Sequence, residues 1–160
     1  MIKLIATDID GTLVKDGTLI INPEYMTVIS KLIDKGIIFT VCSGRQFSSE
    51  QKLFAPIKDK LMYITDGGTV VRTPDRILKT YPMSNELWKD MCRMVRDELP
   101  ACDYFAASPD LCYAEDGASP IFHRLRDSYG FEMREIDDLT KLENDDIIKF
   151  TVYHPDSCEE

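Results

Sequence analysis

The chain has 160 residues, 44% of them hydrophobic and 29% charged. That balance is ordinary for a globular domain and excludes disorder, collagen and coiled coil. With 19 basic against 28 acidic residues the net charge is −9, which disfavours nucleic acid and anionic membrane as partners. An anionic ligand would need a local reversal of that field, which a bound divalent cation supplies. No stretch approaches the ~20 apolar residues of a membrane span. The run Met1 to Ala6 stops at Asp8 without the length or cleavage pattern of a signal peptide, so a cytoplasmic location is expected. The five cysteines, Cys42, Cys92, Cys102, Cys112 and Cys158, are odd in number and form no CxxC pair, which predicts reduced thiols.

Ile2 to Thr7 is short, apolar and β-branched, and predicts a buried parallel strand. Leu13-Val14 and Thr18 to Ile20 flank Lys15-Asp16-Gly17, the pattern of a small hairpin. Asn22 and Pro23 form a helix start, Met26, Ile29, Leu32 and Ile33 repeat at helical spacing, and Gly36 is placed to end the helix. A second buried strand is expected over Ile37 to Cys42, a helix from Ser48 to Phe54, and a third buried strand over Leu61 to Ile64. This β-hairpin-α-β-α-β order predicts an α/β fold with a doubly wound, mostly parallel sheet.

From Thr69 onward the pattern reads α+β. A hairpin is expected over Thr69 to Tyr81, then an amphipathic helix with Leu87, Trp88, Met91, Cys92, Val95 and Leu99 on one face. A strand pair at Asp103 to Ala107 and Leu111 to Glu115 follows, then a helix from Ser119-Pro120 to Gly130 bearing Phe122, Leu125 and Tyr129. Phe131 to Ile136 and Ile147 to Tyr153 alternate like strands. The boundary between the two halves is placed near Tyr81-Pro82. Asp137-Asp138 and Asp145-Asp146 read as solvated loops, and His123 and His154 as surface residues.

The sharpest chemical signal is Asp8-Ile9-Asp10-Gly11-Thr12-Leu13 at the end of the first strand. Ligands of open α/β sheets bind beyond the carboxyl ends of the strands. Two carboxylates spaced by one residue share a face of an extended strand, and they repel unless a cation or proton lies between them. Mg²⁺ suits such a pair, since it takes one or two carboxylates with phosphate and water. One carboxylate is then free to act as nucleophile and the other to move a proton. Ser43-Gly44-Arg45, just past the second strand, offers a hydroxyl, an open amide and a guanidinium, which suit a phosphate dianion. Asp66-Gly67-Gly68 ends the third strand and either lines the same site or forms only a turn.

These strings resemble the haloacid dehalogenase superfamily of phosphohydrolases, most closely its Cof-type branch. That resemblance implies a Rossmann-like core over 1–81, incomplete in this chain, and an inserted α+β cap, partial, over 82–160. It implies that Asp8 becomes an aspartyl-phosphate and that Asp10 is the acid/base. Asp8 and the main-chain carbonyl of Asp10 would then hold Mg²⁺. Gly11, Thr12, Ser43, Gly44 and Arg45 form the candidate phosphate-binding set, with Ser43 the second motif's hydroxyl and Asp66 and Gly67 beside the substrate. The stretch Leu13 to Ile20 resembles the family's mobile flap. Asp66-Gly67-Gly68 stands where the branch has Asn-Gly-Ala. The family's later lysine and Gly-Asp motifs have no counterpart before Glu160, so residues 1–160 alone are expected to be weakly active or inactive. An open sheet edge is expected to permit self-association. The implied substrate is a small phosphorylated metabolite, a sugar phosphate first. The rival readings are a receiver-like phospho-acceptor, with its acceptor near Asp66, and a degenerate binding fragment.

Overall fold

The computed structural model describes residues 2–15, 18–143 and 146–156. Two sheets organise the chain. The first has five strands in sequential order: β1 (Leu4–Asp8), β2 (Ile38–Cys42), β3 (Met62–Thr65), β4 (Val70–Arg72) and β5 (Ile77–Thr80). Strands β1 to β3 run parallel and β3 to β5 antiparallel. Helices α1 (Pro23–Asp34) and α2 (Phe47–Leu53) make the two crossovers between the parallel strands. This is the α/β architecture that the alternation of elements predicts.

Local chemistry sets the helix ends. The Asn22 side chain accepts a hydrogen bond from the Glu24 amide and Pro23 opens α1, while the Gly36 amide donates to Ile33 O beyond its end. The apolar core of this half gathers Ile9, Ile29, Phe39, Val41, Phe54 and Tyr63, among others. Phe47 meets Tyr63 edge-on at 5.0 Å, and the Tyr63 hydroxyl donates to Lys58 O.

The second sheet has the order β8-β7-β6-β9, formed by β6 (Asp103–Ala107), β7 (Cys112–Ala114), β8 (Met133–Glu135) and β9 (Lys149–Tyr153). Helix α3 (Asn85–Glu98), capped by Ser84, packs Trp88 and Cys92 into a buried cluster with Ala106, Tyr113, Leu139 and Ile147. Among the described residues no helix is long and apolar enough to cross a membrane. Cys42, Cys92, Cys102 and Cys112 are free thiols, and Cys158 lies outside the described residues.

Several expectations need correction. β1 is parallel but not buried: it pairs with β2 alone, and Leu4 is 54% exposed. An apolar β-branched run reports strand character, whereas burial depends on how many neighbours the strand has. The expected hairpin over Leu13 to Ile20 is absent where it is described. Residues 11–13 form a turn, a lone bridge joins Asp10 to Val14, and residues 18–20 belong to no strand; Asp16 and Gly17 lie outside the described residues. On α3, Trp88, Cys92 and Val95 are buried, while Leu87 and Leu99 are exposed, because a 3.6-residue repeat turns them off the packed face. The helix expected from Ser119 to Gly130 is a short α4 (Pro120–His123) that widens into a π-turn over Arg124–Ser128. Asp138 is not a solvated loop residue: it accepts from Arg96 and Thr140, and these bonds hold its carboxyl well below the usual range. Asp145 lies outside the described residues.

Candidate active site

Parallel pairing puts the ends of β1 and β2 side by side, with Asp8 in register with Cys42. Ser43 therefore follows directly beside Asp8. Asp8 is exposed at the strand end. Ile9 is fully buried and its carbonyl accepts from the amides of Thr12, Leu13 and Val14, which folds the chain back on itself. Gly11 takes φ +76° in this turn, a conformation that L side chains rarely adopt. The turn leaves Asp10 beyond the sheet edge, half-buried and facing the Ser43–Arg45 loop.

Arg45 faces Asp10. Its guanidinium is 2% exposed and grips the Asp10 carboxylate with both limbs, Nε to Oδ2 at 2.8 Å and Nη2 to Oδ1 at 2.6 Å. Nη2 also donates to Thr18 O, and Nη1 donates to Ser49 Oγ. The Tyr129 ring lies 5.3 Å from the guanidinium carbon. Expected from the sequence to bind phosphate, Arg45 here has its guanidinium on the Asp10 carboxylate. A forked, charge-assisted pair of this kind fixes both position and rotation.

The other members of the phosphate set divide. The amides of Gly11 and Thr12 already donate, to Val14 O and Ile9 O. Ser43 is nearly buried and its Oγ accepts from the Arg45 amide. Gly44 is exposed, and a Cβ there would meet nothing within 4 Å, so its backbone is open to close approach by an anion. Its carbonyl accepts from Lys149 Nζ at 2.7 Å.

Asp66 and Gly67 belong to this neighbourhood. The Asp66 amide donates to Arg45 O and the Gly67 amide to Ser43 O, which laces the two loops together. Asp66 adopts φ 54°, the left-handed region, without being glycine. Its side chain is 1% exposed, accepts from Thr65 Oγ1, and stands 4.0 Å from Lys149 Nζ. Burial pushes the Asp66 carboxyl up to about 6, against the opposing pull of Lys149. Glu50, on α2, is fully buried with neither carboxylate oxygen hydrogen-bonded among the described residues. Burial, reinforced by Asp66 and opposed by Arg45, raises its carboxyl well above the usual range.

The second sheet is fastened onto this loop. Gln46, fully buried, donates from Nε2 to Glu132 O and accepts from the Glu132 amide at Oε1. Ser48 and Lys52 both donate to Gly130 O. Arg72 stacks 3.6 Å from the centre of the Phe47 ring and pairs with Asp110. Gln46, Glu50, Tyr129 and Lys149 were not visible as site residues in the sequence. Gln46 follows the Ser-Gly-Arg string directly, and Lys149 is a lone charge in the apolar run Ile147 to Tyr153; those were the available signals.

A family model described as haloacid dehalogenase-like hydrolase matches residues 5–159. The chain belongs to that family. Its Cof-type character, suggested by the motif strings, agrees with the relatives. The haloacid dehalogenase-like chain is 26% identical, over 89% of its length, to the 5-amino-6-(5-phospho-D-ribitylamino)uracil phosphatase YbjI of Escherichia coli, and covers 52% of that protein. Among solved structures, a protein of Eubacterium rectale is 81% identical with TM-score 0.87, over 99% of this chain and 60% of that one. The subclass IIB sugar phosphatase BT4131 shares the fold at 16% identity, with TM-score 0.73 over 94% of this chain and 58% of that one. The chain thus spans roughly half to three fifths of the length of these relatives.

Proposed function

We propose that this haloacid dehalogenase-like protein is a cytoplasmic, Mg²⁺-dependent hydrolase of small phosphate monoesters that works through an aspartyl-phosphate on Asp8. Residues 1–81 supply the catalytic core part and 82–160 a cap that closes over it. What supports the reading is the pairing of an exposed Asp8 with an Asp10 held rigid by Arg45. Among the described residues no cluster of three or more acidic, Cys or His side chains exists to cage a metal. Mg²⁺ does not require one, since it keeps several waters and takes one or two carboxylates with substrate oxygens. The donor set fits: the Asp8 carboxylate and the Asp10 main-chain carbonyl would hold the ion, because Arg45 occupies the Asp10 carboxylate. The bound ion would neutralise charge between Asp8 and the phosphate.

Asp8 attacks phosphorus, and the bond from phosphorus to the ester oxygen breaks. Asp10 delivers a proton to that oxygen, so the alcohol leaves neutral. Asp10 then takes a proton from water as the water attacks the aspartyl-phosphate, releasing inorganic phosphate and restoring Asp8. The Arg45 fork suits the carboxylate form of Asp10, which the first step leaves and the second needs; for the first step Asp10 would enter protonated, with one limb of the fork released. The Ser43 hydroxyl and the open Gly44 backbone receive the phosphoryl oxygens. The free edge of β1, with Leu4 and Ile2 exposed, is where self-association of this chain would occur.

Sugar phosphates, the substrate class named for BT4131, are the first esters to test. Phosphate release from them and from p-nitrophenyl phosphate is measured with and without Mg²⁺, for the chain and for Asp8→Asn. Mg²⁺-dependent release abolished by Asp8→Asn supports the reading, and a rate unaffected by that change refutes it. Labelling with a small phosphodonor is expected to mark Asp8. Asp66, with its side chain walled off, is a poor acceptor, which disfavours a receiver-like role.

A further inference from the structure

Lys149 stands at the start of β9, opposite Ala107 of β6. Its ammonium nevertheless donates to Gly44 O at 2.7 Å, 105 residues away in the chain. We propose, resting on the hydrolase reading, that Lys149 is a positioning residue of the phosphate site: through the Gly44–Arg45 peptide it sets the Ser43 hydroxyl to donate to the phosphoryl group.

The Gly44 carbonyl and the Arg45 amide are the two ends of one planar peptide unit. Lys149 grips the carbonyl end, and the amide end donates to Ser43 Oγ at 3.1 Å. Ammonium to carbonyl and amide to hydroxyl form one chain of donors with every dipole pointing the same way. Such bonds strengthen one another where water is scarce, and Ser43 and Arg45 are both buried. A hydroxyl has one donor and two acceptor sites. The Arg45 amide occupies one lone pair of Ser43, and among the described residues no protein acceptor takes the hydroxyl proton. An anionic phosphoryl oxygen is the acceptor this chain of bonds favours, since its far end carries a full positive charge.

Gly44 is what makes Lys149 necessary. The rest of the loop backbone is tied from the first sheet: the Ser43 amide donates to Ile64 O, Ser43 O accepts from the Gly67 amide, and Arg45 O accepts from the Asp66 amide. A Cβ at Gly44 would meet nothing within 4 Å, so neither a side chain nor its surroundings fix the direction of its peptide. Lys149 fixes it, and does so from the second sheet. Asp66 Oδ1, at 4.0 Å, is beyond hydrogen-bond reach of the ammonium and steadies it only by charge.

Lys149→Met removes the charge and keeps the stem, and Lys149→Arg restores a donor. Amide hydrogen exchange followed by NMR reads the loop directly. In Lys149→Met the Arg45 amide is expected to exchange about 10-fold faster, with the Ser43 and Glu132 amides unchanged, and Lys149→Arg is expected to recover most of the protection. An unchanged Arg45 amide overturns the proposal. So does equal quickening at Glu132, which would make Lys149 only a tether between the sheets. Kinetics with p-nitrophenyl phosphate read the consequence. Deleting one donor to a developing charge costs ~10²–10³ in kcat. A misdirected Ser43 is therefore expected to cost Lys149→Met roughly 10-fold in kcat, with KM within about twofold of the parent. In a Ser43→Ala background the same substitution is expected to cost less than about twofold, because its route is already cut. An unchanged kcat in Lys149→Met, or an undiminished loss in the Ser43→Ala background, overturns the proposal. If the unmodified chain does not hydrolyse the ester with Mg²⁺, the hydrolase reading fails, and the setting of Ser43 by Lys149 is decided by the exchange rates alone.

Discussion

Replacing Arg45 by methionine removes the fork from Asp10 while leaving an apolar side chain of similar reach. Four hydrogen bonds leave with the guanidinium: two to Asp10, one to Thr18 O and one to Ser49 Oγ. Breaking a fully buried ion pair by deleting one partner costs ~3–5 kcal/mol. Asp10 is 24% exposed, so water re-solvates part of it and the figure falls to ~2–3 kcal/mol. In a chain of this length each kcal/mol moves Tm by ~2–4 °C, so Arg45→Met is expected to melt roughly 4–12 °C lower. Arg45→Lys keeps the charge but loses the fork, and about half that loss is expected. Thermal unfolding followed by circular dichroism reads both. A cycle with Asp10→Asn then isolates the pair, with a coupling above ~1 kcal/mol expected. An Arg45→Met chain that melts within about 1 °C of the parent, or a cycle with no coupling, would falsify the assignment of Arg45 to Asp10.

Three further outcomes follow from the same contacts. Gln46→Leu removes both bonds to Glu132, whose carbonyl keeps the Cys112 amide and whose amide keeps Ser48 Oγ, so a loss of ~1–2 kcal/mol is expected, with faster hydrogen exchange at the Glu132 amide; unchanged exchange there would count against the clasp. Gly130 sits at φ +74° and a Cβ would come within 2.9 Å of Lys52 Cδ, so Gly130→Ala is expected to destabilise by ~1–2 kcal/mol in urea unfolding; a neutral result would mean the segment packs elsewhere. Burial raises the Asp66 carboxyl to about 6, so the folded chain holds that proton more tightly than the unfolded chain, and its contribution is lost as pH rises through about 6. Relative to Asp66→Asn, the parent is expected to lose ~2–3 kcal/mol between pH 4 and pH 7; parallel pH curves for the two proteins would refute the raised value.

The sequence made some parts of this molecule plain and hid others for physical reasons. Asp8 and Ser43 were legible as neighbours because each lies at or just past the end of a short apolar strand, and parallel pairing brings such ends together; Asp10 was legible only as part of the motif string, since the turn after Ile9 sets where it points. The crossovers were legible through Asn22, Pro23 and Gly36, whose effects are local. Burial of β1 was not legible, since it depends on neighbours that no local pattern reports. The direction of Arg45 was hidden too. A guanidinium beside a glycine suits a phosphate and a carboxylate equally well, and its contact with Asp10 depends on the turn after Ile9, which carries Asp10 toward the loop. Lys149 was hidden by distance, being 105 residues from its partner Gly44.

One short segment connects nearly every part of the candidate site. Ser43 and Arg45 accept the amides of the loop after β3 through their carbonyls, and Gly44 accepts Lys149 from the second sheet. Arg45 holds Asp10 and the Thr18 carbonyl, and Gln46 holds the Glu132 backbone. Arg45 itself is covered by the ring of Tyr129, just before the Gly130–Glu132 stretch that Gln46, Ser48 and Lys52 grip. A movement of the second sheet away from α2 therefore uncovers the guanidinium that orients Asp10, and re-solvates it. A guanidinium in water holds a carboxylate far less firmly than a buried one. Asp10 is thus held in place most firmly while the two sheets are together.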